Sequence, residues 1–508
     1  MTPSRRPKRG QASKLTQSRL TDAFDCFGEG FVLWDADDRL ELCNRKYREF
    51  FAVSADLMVR GGSFEEILRG AVARGQYPAA KADPEGWIKV VLERRLEATG
   101  SSELQLADRW LHVTNRRTSD GGIVGILSDI TERIRHEEIL RERETRLRSL
   151  MANMKQLGAV FGQKFGWERP NWFAPTKSKQ KDKYSFRRTN FFEPVREECK
   201  AVRERVGLLD LTGFSKFEIS GPGAEGFLDK LVANRLPQKV GRIALAHVLT
   251  PQGGVRSELT INRLAPDRFY VVSAAAAERH DSDVMWRALP PNGGVRIDNL
   301  TQAWGVLVLA GPKSRDVLKK ITDADLSNEK FPWLSGQDIT IGHAPVRALR
   351  VNFVGELGWE LHHPLTYQNV IFDAIMEAGK EFDIKPFGIR AMDSLRIEKS
   401  YKYWRGDLFT EYTAWESGLD RFVHLNKGEF TGREALVRQQ QQGVLRKFVT
   451  VEVDAKESDP WGNEPLFIGK KMVGRTTTGA YGYSIGKSLA VGYVKSEHEQ
   501  PHLPLARL

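Results

Sequence analysis

Residues 353–360 read Phe-Val-Gly-Glu-Leu-Gly-Trp-Glu, and residues 385–398 read Lys-Pro-Phe-Gly-Ile-Arg-Ala-Met-Asp-Ser-Leu-Arg-Ile-Glu. The first stretch makes a glycine-rich bend that ends on Glu360, and the second places Arg390 and Arg396 at the start of a helix. An acid held close to guanidinium groups suits a flat polar heterocycle, because charge-assisted hydrogen bonds orient such a ring. The spacing alone leaves a second interpretation open, in which the glycines form a turn between two strands and the acids lie on the surface.

The length and composition are those of a globular protein with several domains. The 508 residues are 41% hydrophobic and 28% charged, which suits roughly three or four domains of the usual size. No apolar run approaches the roughly 18 residues that a membrane span needs, and the basic start lacks the apolar segment of a secretory signal. The three cysteines, Cys26, Cys43 and Cys199, include no Cys-x-x-Cys pair. Neither a disulfide framework nor a metal site is indicated, and a cytoplasmic location is predicted.

The net charge is +11, and part of it lies in residues 1–19, where six basic residues meet no acid. Such a segment can contact nucleic acid or an anionic surface, but termini of this composition are more often solvated and disordered. We therefore expect a basic disordered tail over residues 1–19 and no nucleic-acid partner. The remaining positive charge is compatible with a polyanionic ligand.

Residues 20–133 have the pattern of a small α/β domain. Strand-like stretches lie at both ends of this segment, and helical periodicity fills its middle. The expected strands and helices are residues 30–35, 39–44, 45–51, 64–74, 84–98, 103–106, 110–117 and 122–128. This order, closed by Asp129-Ile-Thr-Glu-Arg133, resembles a PAS sensor domain. His112 and Cys43 are interpreted as packing residues, and the ligand of the PAS domain is unknown.

A helix rich in Glu and Arg is expected next, over residues 134–160. Its heptad positions a and d hold Leu140, Arg143, Leu147, Leu150, Met154 and Leu157. This pattern predicts a short parallel coiled coil and hence a homodimer. A single amphipathic helix that lies on the next domain fits the short heptad run equally well. Residues 161–190 are expected to form an irregular linker.

A strand, a Gly-Pro turn and a helix occur twice in the second half of the chain. The first copy covers residues 216–233 and the second residues 305–321, which indicates an internal pseudo-repeat. The first turn, Gly221-Pro-Gly-Ala-Glu-Gly226, satisfies the Gly-x-Gly-x-x-Gly dinucleotide pattern literally. However, Pro222 removes an amide, and no acid follows in the required place. The turn is interpreted as structural, and no FAD or NAD motif is identified.

Longer motifs accompany the repeat at residues 241–260, 410–422, 427–434 and 474–479. Together with the stretches quoted first, they make residues 161–495 resemble the glycine-cleavage T-protein family. The likeness is closest to the folate-binding C-terminal half of dimethylglycine and sarcosine dehydrogenases.

The resemblance implies a multidomain α+β architecture. After the PAS domain and the linking helix, we expect a T-protein-type folate-binding domain over residues 191–440 and a C-terminal β-barrel over residues 441–508. Relatives generally continue with another strand or two, so a truncated barrel with an unpaired edge is expected.

The resemblance also implies roles for individual residues. In the family an aspartate after the Gly-Gly turn lies beside the reactive nitrogen atoms of tetrahydrofolate, and Glu258 occupies that position here. Glu258 is therefore the candidate catalytic residue. Its extra methylene moves the carboxylate by about 1.5 Å, and a misplacement of about 1 Å can cost on the order of a hundredfold in rate. Thr260 is expected on the same strand face.

Glu360 would hold the amino edge of the pterin ring, and Phe353 replaces a family tyrosine. The family arginine near the pterin is matched only approximately, by Arg390 or Arg396, because Met392 occupies its place. The predicted folate-binding residues are therefore Glu360, Phe353, Thr260, Arg390 and Arg396.

The implied function is tetrahydrofolate-dependent transfer of an aminomethyl or methyl group under the control of a PAS domain. The dehydrogenase relatives make the transferred group on an FAD domain that precedes this half, and a PAS domain stands in that place here. The chain would therefore need a one-carbon donor, a partner oxidase or a carrier protein. A non-catalytic folate-binding regulatory protein is the alternative, and a fusion of functionally unlinked halves is a third interpretation.

Overall fold

A computed structural model describes residues 25, 28–97, 100–164, 166–176, 180–291 and 293–498 of the chain. At helix positions 96, 97, 136 and 138–149 only the backbone is described. The basic tail expected at residues 1–19 lies outside the described residues. The chain divides into two compact units, Met1–Glu144 and Thr145–Leu508. Within the described part, no helix combines the length and the apolar character that crossing a membrane requires.

The first unit is built on one antiparallel sheet of five strands in the order β2-β1-β5-β4-β3. Its elements are β1 (Gly30–Trp34), β2 (Leu40–Cys43), α1 (Arg45–Phe50), α2 (Phe64–Ala73), α3 (Pro84–Glu97), β3 (Gly100–Gln105), β4 (Trp110–Arg117) and β5 (Ile123–Asp129). Because β1 pairs with both β2 and β5, the hairpin that opens the unit lies beside the strand that closes it. The predicted hairpin, helical middle and three-strand return are confirmed.

Polar side chains shape the turn between β1 and β2. The Asp35 carboxylate accepts hydrogen bonds from the N–H groups of Asp37 at 3.0 Å and Arg39 at 2.8 Å. Asp38 adopts the left-handed conformation with φ 56°, which Asp tolerates better than most residues. The Arg95 guanidinium of α3 binds the Asp38 carboxylate at 2.6 Å and thereby ties the turn to the helical layer.

The expected exit helix, α4 (Thr131–Gln156), is confirmed. Asp129 caps its start by accepting hydrogen bonds from the Thr131 N–H at 2.9 Å and the Thr131 hydroxyl at 2.6 Å. The Asp-Ile-Thr sequence therefore ends the sheet and begins the helix.

The last turns of α4 contradict part of the coiled-coil prediction. Leu150 and Met154 are each 2% exposed and are buried in the core of the second unit, in the same cluster as Val206 and Trp359. These two heptad positions are therefore filled within the same chain and cannot form a seam with another chain. Leu140, Arg143 and Leu147 are described by their backbone alone, and the homodimer stays a prediction.

The segment expected to be an irregular linker contains a hairpin, formed by β6 (Ala159–Lys164) and β7 (Trp167–Phe173). Trp172 is fully buried, and its indole N–H donates to Asp182 at 2.7 Å. The linker prediction for residues 161–190 is therefore wrong for this part. The aromatic residues Trp167, Trp172 and Phe173 are strand residues of the second unit.

Two sheets whose first four strands follow the same order form the body of the second unit. The smaller sheet has the order β10-β11-β12-β9-β13, and the larger sheet has the order β15-β16-β17-β14-β8-β18. Their strands are β8 (Gly207–Asp210), β9 (Ser215–Ser220), β10 (Ile243–Leu249), β11 (Val255–Ala265), β12 (Arg268–Ser273), β13 (Arg296–Asn299), β14 (Trp304–Ala310), β15 (Gly336–Ile341), β16 (Ala344–Leu349), β17 (Gly358–Pro364) and β18 (Lys385–Pro386). In each sheet the strand before the Gly-Pro turn pairs with the last of three strands that are consecutive in the chain: β9 pairs with β12, and β14 pairs with β17. This shared order confirms the internal pseudo-repeat.

The helices of the second unit cover these sheets and carry part of the candidate site. They are α5 (Phe192–Glu204), α6 (Ala224–Leu231), α7 (Glu278–Arg287), α8 (Ser314–Leu318), α9 (Gln368–Gly379), α10 (Ile389–Ile397) and α11 (Arg433–Gln442).

The two Gly-Pro turns have the same backbone conformation. Gly221 and Gly311 adopt φ 112° and 128°, and a Cβ on either would lie 2.5 Å from a backbone carbonyl oxygen. The Gly223 N–H donates to the Gly294 carbonyl at 2.9 Å, and β9 is antiparallel to both of its neighbours. The glycine pattern is therefore a structural turn, as expected, and not the first turn of a parallel βαβ unit.

The C-terminal sheet has four strands in the order β19-β22-β21-β20. They are β19 (Arg446–Val453), β20 (Pro465–Ile468), β21 (Lys471–Gly482) and β22 (Lys487–Lys495). The long strand β21 was not predicted as a strand, although residues 474–479 within it were identified as a family motif. Its Gly, Arg and Thr residues do not alternate between apolar and polar.

Candidate active site

Glu360 lies on β17, which has neighbours on both sides in the larger sheet. It pairs in register with Val308 and Leu349, and its side chain is 10% exposed. Removal from water disfavours the charged form and raises the pKa of Glu360 to about 8. Its Oε2 lies 3.2 Å from His362 Nε2. Its Oε1 has no hydrogen-bond partner among the described residues.

His362 connects Glu360 to the smaller sheet. Its Nδ1 lies 3.0 Å from the hydroxyl of Tyr270 on β12, and the two rings meet edge to face. Both side chains are fully buried. Burial lowers the pKa of His362 well below its usual value, and nearby cations act in the same direction. The imidazole is therefore neutral near pH 7, so one nitrogen donates and the other accepts.

Glu258 and Thr260 lie on β11 in the smaller sheet. The ladder between β10 and β11 is regular through both residues, so they share one face of the strand, as predicted. Glu258 pairs across the sheet with His247, whose Nε2 lies 3.5 Å from Glu258 Oε1. The His247 side chain is 1% exposed and that of Glu258 is 31% exposed. The candidate catalytic carboxylate is thus accessible and has a buried imidazole beside it.

Lys402 is a cation within electrostatic range of Glu258. Burial lowers the pKa of its ammonium group, and the carboxylates of Asp407, Glu258 and Asp420 offset part of this effect. Its Nζ lies 4.7 Å from the centre of the Phe448 ring. An accessible carboxylate in this position is a candidate proton acceptor for a bound molecule.

Phe353 lies in the loop before β17 and is partly buried against the cluster that contains Met392. Its ring lies 6.0 Å from the ring of Tyr401. The Tyr401 carbonyl accepts a hydrogen bond from Arg396 at 3.0 Å. Tyr401 therefore lies beside the Phe353 ring. Tyr403, on the other side of Lys402 in the chain, lines a cavity whose wall also contains Arg396.

A cavity of about 1000 Å³ lies beside α10, which contributes Arg390, Asp393 and Arg396 to its wall. Cations and aromatic rings make up much of the remaining wall: Lys164, Arg169, Lys183, Arg187, Arg188, Phe191, Phe192, Tyr403, Trp461, Tyr481 and Tyr483. This lining suits an aromatic ligand with anionic groups. Four predicted site residues are not among its described lining residues: Glu258, Thr260, Phe353 and Glu360.

The two arginines of α10 have different environments. The Arg396 side chain is 3% exposed and donates to Asp407 at 2.8 Å, so the protein itself uses its hydrogen-bonding capacity. Arg390 is 23% exposed, stacks 3.8 Å from the centre of the Phe191 ring and lies 3.3 Å from Asp182. Arg390 can therefore reach a ligand, whereas Arg396 holds the wall of the cavity in place.

Asp393 adds a carboxylate to this wall. Its side chain is 42% exposed, but desolvation at the cavity wall raises its pKa, and the charges of Arg396, Arg169 and Lys164 offset part of this effect. The nearest cationic atom is Arg396 Nε, which lies 3.9 Å from the carboxylate. The Asp393 carboxylate can therefore accept a hydrogen bond from a ligand.

Four of these residues were not predicted from the sequence: His247, His362, Lys402 and Asp393. For two of them a signal was present. His362 follows Glu360 by two positions and so shares its strand face, and Asp393 follows Arg390 by three positions and so shares its helix face. His247 meets Glu258 only through the register of a hairpin, and Lys402 lies in a segment without periodicity.

The sequence of this chain matches models of known protein families. A family model described as the GCVT N-terminal domain matches residues 150–427, which is more than half of the chain. The chain belongs to the glycine cleavage T-protein family. The T-protein match begins within α4, ahead of residue 191, which the sequence analysis took as the start of this domain. Models of the PAS fold and of the glycine cleavage T-protein C-terminal barrel domain match residues 24–138 and 446–505.

Individual curated relatives match about two thirds of the chain. Mitochondrial dimethylglycine dehydrogenase of Mus musculus is 42% identical over 331 residues, 65% of this chain and 38% of that protein. Aminomethyltransferase of Thermoanaerobacter sp. (strain X514) is 31% identical over 61% of this chain and 83% of that protein. The crystal structure of glycine cleavage system aminomethyltransferase T from Bartonella henselae has the same fold, with a TM-score of 0.59 and 23% identity over 69% of this chain and 90% of that chain. The chain spans only 38% of the length of the dehydrogenase.

Proposed function

We propose that the chain binds tetrahydrofolate and transfers an aminomethyl or methyl group, as an enzyme of the aminomethyltransferase type that its PAS domain regulates. Glu360 carries this proposal. It is a buried carboxylate whose Oε1 has no hydrogen-bond partner in the described part of the chain. This Oε1 is not among the fully buried side-chain atoms that lack a partner, so it is accessible, and an acceptor left open on an otherwise buried carboxylate favours a ligand that completes it. Membership of the T-protein family supports folate as that ligand.

Under this proposal, the folate would contact both strand β17 and the cavity beside α10. The Glu360 carboxylate would accept two N–H groups of the pterin, a bidentate contact that fixes the ring plane. Thr260 and Phe353 would contact the ring. The cavity beside α10 would take the aromatic and carboxylate part of the molecule, with Arg390 as the cation and Arg396 as a support for the wall.

Glu258 is the proposed acid–base residue. Tetrahydrofolate supplies the nucleophilic nitrogen atoms that accept a one-carbon unit. Glu258 would take the proton that such a nitrogen releases, because its carboxylate is accessible. The chain would receive the one-carbon unit from a small donor, a partner oxidase or a carrier protein. We also propose a cytoplasmic homodimer.

The test is the formation of 5,10-methylene-tetrahydrofolate from tetrahydrofolate and an aminomethyl donor, followed by mass spectrometry. Replacing Glu258 with glutamine is expected to lower the rate about 10²–10⁴-fold, the usual contribution of a general base. The affinity for tetrahydrofolate, measured by calorimetry, should change by less than about threefold, because Glu258 acts on a proton and does not hold the ring.

The exposed substitution Glu434→Gln is the matched control, since the Glu434 side chain is 84% exposed. Turnover in Glu258→Gln at the wild-type rate would remove Glu258 from the chemistry. Tight folate binding without turnover by the wild-type protein, with every donor supplied, would favour the non-catalytic folate-binding regulatory protein.

A further inference from the structure

Three buried side chains form a hydrogen-bonded chain between the two halves of the pseudo-repeat. The Tyr270 hydroxyl on β12 lies 3.0 Å from His362 Nδ1, and His362 Nε2 lies 3.2 Å from Glu360 Oε2 on β17. Tyr270 and His362 are fully buried, and Glu360 is 7% exposed. Solvent therefore cannot replace any of these contacts without a rearrangement.

The Tyr270 hydroxyl fixes the tautomer of His362. Among the described residues, His362 Nδ1 is the one acceptor within hydrogen-bond distance of this hydroxyl. Burial raises the pKa of Tyr270, so the hydroxyl keeps its proton and donates it to Nδ1. In a neutral imidazole the ring proton then resides on Nε2, which donates to Glu360 Oε2. This donor stabilises the carboxylate form of Glu360.

Burial is the main reason why the imidazole of His362 stays neutral. The titratable groups on the surrounding strands, Lys216 on β9, His363 on β17 and Arg347 on β16, lower the pKa of His362 further. Arg347 lies 4.9 Å from the centre of the Tyr270 ring. Arg347 lowers the pKa of Tyr270, whereas Glu218 raises it.

We infer that His362, oriented by Tyr270, is a positioning residue that turns the Glu360 carboxylate towards a ligand edge with two adjacent N–H donors. This inference rests on the proposed folate-binding function. The Nε2–H bond to Oε2 fixes the plane of the carboxylate and leaves Oε1, together with one lone pair of Oε2, for the ligand. A 2-amino-4-oxopyrimidine presents such an edge, with its 2-amino group and the neighbouring ring N–H. A ring with a methyl group in place of the 2-amino group lacks one donor and should be rejected.

The sign of the pH dependence follows from Glu360. Its pKa in the free protein is raised to about 8, so below that pH most Glu360 is protonated and binding of an N–H edge must release a proton. Affinity should rise about tenfold per pH unit up to about pH 8 and then level off. Lys216 also titrates in this range, because burial lowers its pKa to about 7. All variants below keep Lys216, so its contribution is common to them.

The test is calorimetric titration of tetrahydrofolate between pH 6.5 and 9 into the full-length protein and its variants. Tyr270→Phe removes one oxygen atom and frees the tautomer of His362. We expect about tenfold weaker binding at pH 7 and a pH midpoint shifted upwards, because the carboxylate loses its fixed donor. His362→Gln keeps an amide N–H near the position of Nε2 and is expected to bind within about threefold of the wild type.

His363→Gln is the matched control. His363 is the next residue on β17, is equally buried and hydrogen-bonds Gln368. It should keep the wild-type affinity and pH midpoint. Wild-type pH profiles for both Tyr270→Phe and His363→Gln would overturn the inference.

A second measurement needs no variant. The wild-type protein should bind a tetrahydrofolate analogue with a 2-methyl group at least about 30-fold more weakly than tetrahydrofolate, because one buried acceptor is left unpaired. Equal binding of the two compounds would overturn the inference even if Tyr270→Phe failed to fold. No binding of tetrahydrofolate to the folded wild-type protein would instead refute the proposed function itself.

Discussion

Replacing Glu360 with glutamine is expected to weaken tetrahydrofolate binding about 100-fold at pH 9, which corresponds to about 2.8 kcal/mol. The glutamine side chain has nearly the same shape, but its amide N–H₂ group would face the N–H donors of the pterin. At pH 7 the difference should shrink to about tenfold, because wild-type Glu360, with its pKa raised to about 8, is then itself mostly protonated. Isothermal titration calorimetry at both pH values measures this effect, and the variant should lose the pH dependence due to this carboxyl group.

Glu429→Gln is the control for the loss of one negative charge, since the Glu429 side chain is 81% exposed. It should bind as the wild type does. If Glu360→Gln kept the wild-type affinity at pH 9, then Glu360 would not contact the ligand, and the proposed site would have to be placed elsewhere. The contrast with Glu258→Gln is diagnostic, since that variant is expected to bind folate and to lose turnover.

Replacing Asp407 with alanine is expected to destabilise the second unit by about 3–5 kcal/mol, the usual cost of leaving a buried charge without its partner. The Asp407 side chain is fully buried and accepts hydrogen bonds from Arg396 at 2.8 Å, the Tyr403 N–H at 2.8 Å, the Thr477 hydroxyl at 2.5 Å and the Thr478 hydroxyl at 2.8 Å. Without Asp407, the Arg396 guanidinium remains buried without its carboxylate, and the Tyr403 N–H and the Thr478 hydroxyl lose their acceptor.

Urea unfolding followed by tryptophan fluorescence measures this free energy of unfolding, with the transition of the second unit fitted separately from that of the first. Glu411→Ala is the matched control, because the Glu411 side chain is 72% exposed and its ion pair with Arg475 is long, at 4.0 Å. It should change the free energy by less than about 0.5 kcal/mol. If Asp407→Ala unfolded at the same urea concentration as Glu411→Ala, the contact between Arg396 and Asp407 would not contribute to the stability of the second unit.

Local sequence patterns predicted the first unit almost element by element. Strands β1 and β2 have turn residues between them, and the Asp-Ile-Thr cap of α4 depends on neighbours in the chain. The hairpin β6–β7 was missed because its strands mix Gly, Pro, Lys and Arg with aromatic residues, which hides the period of two. For Leu150 and Met154 the sequence left a dimer seam and packing on the next domain equally open, because a heptad pattern shows that a face is apolar but not what covers it.

The candidate site was predictable where it depends on spacing within one element. Glu258 and Thr260 share a strand face, and Arg390 lies on the same helix as Arg396. The contact between His362 and Tyr270 joins residues 92 positions apart, and that between Arg396 and Asp407 depends on the path of a loop. Such contacts are set by the packing of sheets and loops, which a single sequence does not encode as a period.

The shared strand order of the two sheets implies a division of labour between duplicated halves. The half that carries Glu258 supplies the proposed acid–base residue, and the half that carries Glu360 supplies the proposed anchor for the pterin. These carboxylates lie on non-equivalent strands, β11 in the second place and β17 in the third place of the common order. Each copy has therefore specialised, and on the proposed function neither can compensate for damage to the other.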